Sequence, residues 1–166
     1  MFKIIKYPEI ILRKTAKIVT SFDIELKETS IEMYNIMQKL GGIGLAGPQI
    51  NFNKRIVIIG DLNNKDYSVY VNPEITYFSN DKEISEEGCL SLPNIFGLVK
   101  RSKKIHLKYR DLEGNKIKEK LKGLKSVVIQ HEIDHLNGIL FIDRVEEITK
   151  GKEKLKELKY KLENNV

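Results

Sequence analysis

The chain has a single cysteine, Cys89, so it can form no internal disulfide. It has no charge-free apolar run long enough to span a bilayer. Its opening, Met1-Phe2-Lys3-Ile4-Ile5-Lys6-Tyr7-Pro8, lacks the apolar core and small-residue cleavage site of a secretory leader. It also lacks the Arg- and Ser-rich character of a transit peptide, so a cytoplasmic location is expected. No internal repeat or low-complexity linker divides the 166 residues, which read as one domain with a real core. The formal net charge of +6 admits attraction to RNA, ribosomes or acidic surfaces, and equally an ordinary Lys-rich solvated surface.

Histidine is scarce as well: there are three, and two stand in one hexapeptide, Gln130-His131-Glu132-Ile133-Asp134-His135. Ser126-Val127-Val128-Ile129 precedes it and Leu136 follows. The run lacks Pro and Gly, and Asn137-Gly138 is a stop signal, so the pattern predicts a helix over about 124–136. On a helix His131 and His135 lie one turn apart on one face, where two imidazoles can grip one cation. Glu132 is rotated by roughly 100° from His131, close enough to serve a water on that cation but not aimed as a ligand. This is the H-E-x-x-H arrangement of two ligands and a general base. The plainer alternative is two buried, hydrogen-bonded, inert histidines.

Residues 1–19 read as an extended arm with one helical turn near Ile11-Leu12-Arg13. Ser21 or Asp23 can cap a helix whose stripe is Met33, Ile36, Met37 and Leu40, ended by Gly41-Gly42. Gly42-Ile43-Gly44-Leu45-Ala46-Gly47-Pro48-Gln49 lacks the Gly-Lys-Ser/Thr of a phosphate loop. It reads either as backbone that must approach a ligand closely or as a plain turn. Arg55-Ile56-Val57-Ile58-Ile59 predicts a buried strand, Asp61 to Asp66 a polar loop, and 67–71 and 74–78 two strands around Asn72-Pro73. A turn follows at 79–82. Ile105, Leu107 and Tyr109 alternate with His106, Lys108 and Arg110, a half-exposed strand that turns at 111–115 and returns over 116–121. From Glu146 the chain is strongly charged with a thin stripe of Ile148, Leu155, Leu158 and Leu162, which predicts a C-terminal helix over about 146–163.

A hydrolytic metal site wants three protein ligands and an open position. The candidates for the third are Cys89, a glutamate after the motif (Glu146, Glu147, Glu153, Glu157 or Glu163), or His106. The glutamates belong to a helix that reads as solvent-facing, and His106 falls on the polar face of its strand. Cys89, a soft anionic donor after Gly88 in a non-helical turn, is favoured on chemistry.

Three segments, Gly42 to Gln49, Glu87-Gly88-Cys89-Leu90-Ser91 and Gln130 to His135, resemble in order and approximate spacing the three signature motifs of the peptide deformylase family. The similarity runs on through Leu12-Arg13, Arg101, the 111–114 turn and Leu136 to Asp143-Arg144. It implies an α+β fold with antiparallel β-sheets around a central helix carrying the motif, a C-terminal helix, and a single catalytic domain over 1–166. The implied chemistry is metal-dependent removal of the formyl group from formyl-methionine of new polypeptides.

By the same resemblance Cys89, His131 and His135 hold one ion per chain. It is Fe2+ in the native state, and Zn2+, Ni2+ or Co2+ can replace it. Glu132 shuttles the proton, while Gln49 and the Leu90 N–H polarise the formyl oxygen. Backbone near Ile43 and Gly44 pairs with the peptide, and Ile43, Leu124, Val127 and Val128 line the methionine pocket. Gln130, Glu87, Asp134 and Arg101 are candidates to support the ligands, with Glu87 accepting from a ligating histidine and held by Arg101; the alternative is an ordinary surface pair. Gly47 stands where the family usually has Ala, which would loosen Gln49, and Ser126 similarly replaces a common Ala. The implied partners are formyl-methionyl peptides and the ribosome near its exit tunnel, reached through the Lys-rich C-terminal helix, with no membrane and no direct DNA role. Two other readings are an endopeptidase with a ligand after the motif, and a basic RNA- or ribosome-binding protein without enzymatic activity.

Overall fold

The computed structural model describes residues 2–61 and 66–164. The arm forms one 3-10 turn, Ile10–Arg13, before helix α1, Ile24–Lys39. Asp23 caps α1 by accepting from the Leu26 N–H at 3.1 Å. The buried face of α1 is Leu26, Thr29, Ser30, Met33 and Met37. The expected stripe ended one turn too late: Leu40 is the cap residue, 47 % exposed, beyond the last turn that packs on the core.

A five-stranded antiparallel sheet has the order β1-β2-β3-β6-β7. Its strands are β1 (Gly44–Ala46), β2 (Ile56–Asp61), β3 (Asp66–Phe78), β6 (Lys104–Arg110) and β7 (Lys116–Lys122). A second sheet has the order β4-β5-β8, from β4 (Lys82–Cys89), β5 (Leu92–Ser102) and β8 (Val145–Lys150). Helix α2, Leu124–Leu136, packs against β1, β2 and β7 of the first sheet and β5 of the second. Helix α3 spans Lys152–Glu163. This is the expected α+β architecture, with antiparallel sheets about a central helix.

Every residue of α2 from Ser126 to Leu136 is buried. Ile129, Ile133 and Leu136 pack with Val57, Ile59, Tyr70, Ile105 and Leu107 of the large sheet. Burial on all sides leaves this helix without a solvent-facing polar stripe, so Gln130, His131, Glu132, Asp134 and His135 are all inside the protein. Its polar side chains need internal partners. Gln130 finds them in the Ser102 backbone, accepting at 3.1 Å and donating at 2.9 Å, so it ties α2 to β5 and does not support a ligand.

Two sequence expectations are corrected. Residues 67–78 are not two strands but one, β3, which runs through Asn72-Pro73 with a register shift between Val71 and Glu74. A bulge is where a strand tolerates proline. Asn72 sits at φ +51° and clasps Val19, accepting from its N–H at 2.9 Å and donating to its carbonyl at 2.8 Å. The C-terminal helix does not begin near 146. Residues 145–150 are β8, paired with β5, and Gly151 at φ +81° turns the chain into α3. The polar loop expected at 61–66 lies outside the described residues. Among those described, no helix is long and apolar enough to cross a membrane.

Candidate metal centre and its cleft

The strand end at Cys89 meets one face of α2. Among the described residues a single group of donors could hold a metal: Cys89, His131 and His135, whose ligand atoms all lie within 4.8 Å of one another. Donors on one tetrahedral ion stand about 3.5 Å apart, so a modest contraction would close this set on an ion. Cys89 Sγ is 3.2 Å from His135 Nε2. Among the described residues no glutamate after the motif joins the group, and His106 packs on the Tyr77 ring instead, 4.7 Å between centroids.

The charge network behind His131 fixes which of its nitrogens faces the site. Glu87 Oε2 lies 2.9 Å from His131 Nδ1. Arg101 donates to Glu87 from Nε at 2.7 Å and from Nη2 at 2.9 Å, and to Asp134 from Nη1 at 2.6 Å. Arg144 closes the chain on Asp134 from Nε at 2.6 Å and Nη2 at 2.8 Å. Burial would raise the Glu87 carboxyl, but the hydrogen bonds from Arg101 and His131 outweigh it and hold it at about 2. As a carboxylate it accepts the His131 Nδ1–H, so Nε2 is the nitrogen that faces Cys89 and would ligate on giving up its proton to metal binding. Glu87 and Arg101 are 6 % and 4 % exposed, so they are not the surface pair offered as the alternative.

Among the described residues, two buried polar atoms here lack a protein partner: His135 Nδ1 and Glu132 Oε2. Burial pushes the Glu132 carboxyl up to about 7. Burial also drives His135 well below the usual imidazole range, with the charge of His131 adding to it, so the ring is neutral and able to ligate. His131 is held well above that range: burial opposes the proton, while the Cys89 and Glu87 hydrogen bonds favour it. A cysteine sulfur, two imidazoles and an unpartnered carboxyl oxygen beside them fit a divalent ion with an open coordination position.

Cys89 and His131 open into a cleft of about 600 Å³, while His135 is fully buried. Ile43, Gly44, Gln49, Glu87, Cys89, Leu90, Leu124, Val127, Val128, His131 and Glu132 all line it, so every expected substrate-binding residue is brought there; Arg101 stands behind it. Ile43 and Leu124 are 37 % and 55 % exposed, an apolar surface left open to a ligand. Gln49 Oε1 accepts from the Ala46 N–H at 2.8 Å, which turns Nε2 toward Cys89 Sγ at 3.4 Å and Ser91 Oγ at 3.3 Å. Ser91 and Arg144 have no role that the sequence announces. A turn serine and a surface arginine carry no signal until the fold sets them against Gln49 and Asp134.

The family model described as polypeptide deformylase matches residues 1–151. The chain is 39% identical over 153 residues to the peptide deformylase of Desulforudis audaxviator, covering 92% of this chain and 99% of that protein. The structure of peptide deformylase from Plasmodium falciparum is similar with a TM-score of 0.88 at 40% identity, over 98% of this chain and 96% of that one. A peptide deformylase of Acinetobacter baumannii with Met-Ala-Ser bound is similar with a TM-score of 0.83 at 34% identity, over 87% of this chain and 98% of that one.

Proposed function

This chain belongs to the peptide deformylase family, and on that premise we propose which of its residues carry the reaction and how. The protein is a metal-dependent hydrolase that removes the N-terminal formyl group from formyl-methionine of newly synthesised polypeptides and releases formate. We assign Cys89, His131 and His135 as the ligands of one ion, ferrous iron in the native protein, with Zn2+, Ni2+ or Co2+ able to stand in for it. The donor set supports this but does not select among these metals. Intrinsic affinity favours Zn2+ over Fe2+, so supply decides which is bound. When bound, the ion acts as a Lewis acid and makes a water nucleophilic near neutral pH.

The observation that carries the reading is that Cys89 and His131 of that donor set line one cleft together with Glu132 and Gln49. Glu132 takes the proton of the attacking water and delivers it to the departing amine; a carboxyl lifted to about 7 is poised to do both. Gln49 Nε2 and the Leu90 N–H donate to the formyl oxygen as negative charge develops on it. β1 and β4 are edge strands of the two sheets, and the cleft lies between residues of both. An extended peptide adds there as a strand beside Ile43 and Gly44, with its methionine side chain against Ile43, Leu124, Val127 and Val128. The Met-Ala-Ser held by the Acinetobacter relative supports this class of ligand.

The chain works as one catalytic domain in the cytoplasm. Helix α3, with lysines at 152, 154, 156, 159 and 161, docks on the ribosome near the exit tunnel; truncation after Gly151, which spares β8, removes that docking, and unchanged ribosome affinity would reject it. The deciding assay measures formate release and peptide integrity together, with anaerobic, iron-loaded protein and a formyl-Met-Ala peptide. Formate from an intact peptide, lost on chelation, is expected. Cleavage inside the peptide would favour an endopeptidase, and that reading also requires a metal that survives Cys89→Ala.

A further inference from the structure

Leu90 and Ser91 form the two-residue turn between β4 and β5. Cys89 pairs with Leu92 across them, and the register shifts between Gly88 and Cys89. Two-residue hairpin turns hold their own shape through positive φ at a central residue, hence their preference for Gly, Asn and Asp. Neither Leu90 nor Ser91 is such a residue, and neither has a positive φ. The turn has one contact of its own, the Ser91 N–H donating to Cys89 Sγ at 3.4 Å, and takes further support from outside the hairpin.

The N-terminal arm supplies it. The Tyr7 N–H donates to the Ser91 carbonyl at 2.9 Å, and Lys6 Nζ donates to the Leu90 carbonyl at 2.6 Å. One residue earlier the Ile5 N–H donates to the Gln49 carbonyl at 2.7 Å. Three consecutive residues thus strap together the two segments that carry Gln49 and Leu90. Ile5 and Tyr7 act through their backbone, which nearly any residue would provide. Lys6 acts through its side chain, at the edge of the cleft.

We propose that Lys6 is a positioning residue for the oxyanion hole: its ammonium anchors the Leu90 carbonyl and so fixes the turn from which the Leu90 N–H is aimed. The inference rests on the assignment of Gln49 and Leu90 as donors to the formyl oxygen. The Leu90 N–H lies between two anchors, the Cys89–Leu92 pairing on one side and the Leu90 carbonyl on the other. Release of the second anchor lets the turn relax. A donor mis-aimed by a fraction of an ångström loses the developing oxyanion more than the bound ground state.

The test compares Lys6→Met and Lys6→Arg with the parent at matched metal content, on formyl-Met-Ala-Ser. Amide hydrogen exchange over residues 88–95 is followed separately in metal-free protein. For Lys6→Met the expected result is a fall of about tenfold in kcat with KM within about twofold, and faster exchange over 88–95. Lys6→Arg, which can still reach the carbonyl, keeps kcat within about threefold of the parent. An unchanged kcat in Lys6→Met, an equal loss in Lys6→Arg, or a rise in KM alone would overturn the proposal. Gln49→Ala separates the two levels. If it loses activity while Lys6→Met does not, the strap is wrong and the hole stands. If it too stays active, the oxyanion assignment fails and takes the proposal with it.

Discussion

A Cβ placed on Gly44 would stand 2.5 Å from Oε1 of Glu132 and 2.8 Å from Cγ1 of Val128. The edge strand β1 passes so close to α2 that only glycine leaves the Glu132 carboxyl where it is. Gly44→Ala should still fold, because the atoms in its way are side-chain ends and not backbone. By displacing the carboxyl it should lower kcat/KM on the order of 10²-fold, read from formate release, with circular dichroism unchanged.

Glu132→Gln separates proton transfer from metal binding. Glu132 is outside the ligand group, so the metal content of the variant should equal that of the parent. Its kcat should fall by about 10²- to 10⁴-fold. A fully active variant would remove Glu132 from the proton path.

Arg101 holds two buried carboxylates, Glu87 and Asp134, at 2.6–2.9 Å. Arg101→Met would leave Glu87 without its guanidinium in a buried setting, while Asp134 keeps Arg144. A loss of about 3–5 kcal/mol in urea unfolding is expected. A change under about 1 kcal/mol would mean that water replaces the guanidinium freely.

The Glu87 carboxyl gives a signed acid dependence in metal-free protein. Its folded value of about 2 lies below its ordinary 4.5, so the folded state favours the carboxylate. That contribution is fully present above 4.5 and is lost as pH falls from there through about 2. The urea midpoint of the metal-free parent should therefore drop as pH falls from 4.5 to about 2. Glu87→Gln should begin less stable at neutral pH and lose less across the same window; parallel curves would refute the role.

How much of this was legible in the sequence differs from element to element. The helix expected over about 124–136 is Leu124–Leu136 in the structure, because periodicity, the absence of Pro and Gly, and the Asn137-Gly138 stop all act within one or two turns. The hairpin through residues 111–115 was equally local. Gly47 shows the opposite. By sequence it is a missing methyl that loosens Gln49, yet a Cβ there would lie 2.6 Å from the carbonyl oxygens of both Phe52 and Lys54. This loop closes on itself in a way that leaves alanine no room, and nothing in the residues before or after 47 announces it.

The sequence by itself determined the motif helix, the face that presents His131 and His135 together, and the family. These depend on residue type and on spacings of three or four, which helix geometry converts directly into position. Tertiary structure alone decided the rest. It carried β3 through Pro73 by a bulge, turned residues 145–150 from helix into a strand of the small sheet, and set Cys89 3.2 Å from a histidine 46 residues away. It also strung Arg144, Asp134, Arg101 and Glu87 into one chain behind His131, and laid Lys6 on the carbonyl of Leu90. Each of these rests on partners far apart in the chain. A hydrogen bond or ladder pairing of that kind is chosen by what packing brings within about 3 Å, and local residue patterns hold no record of it.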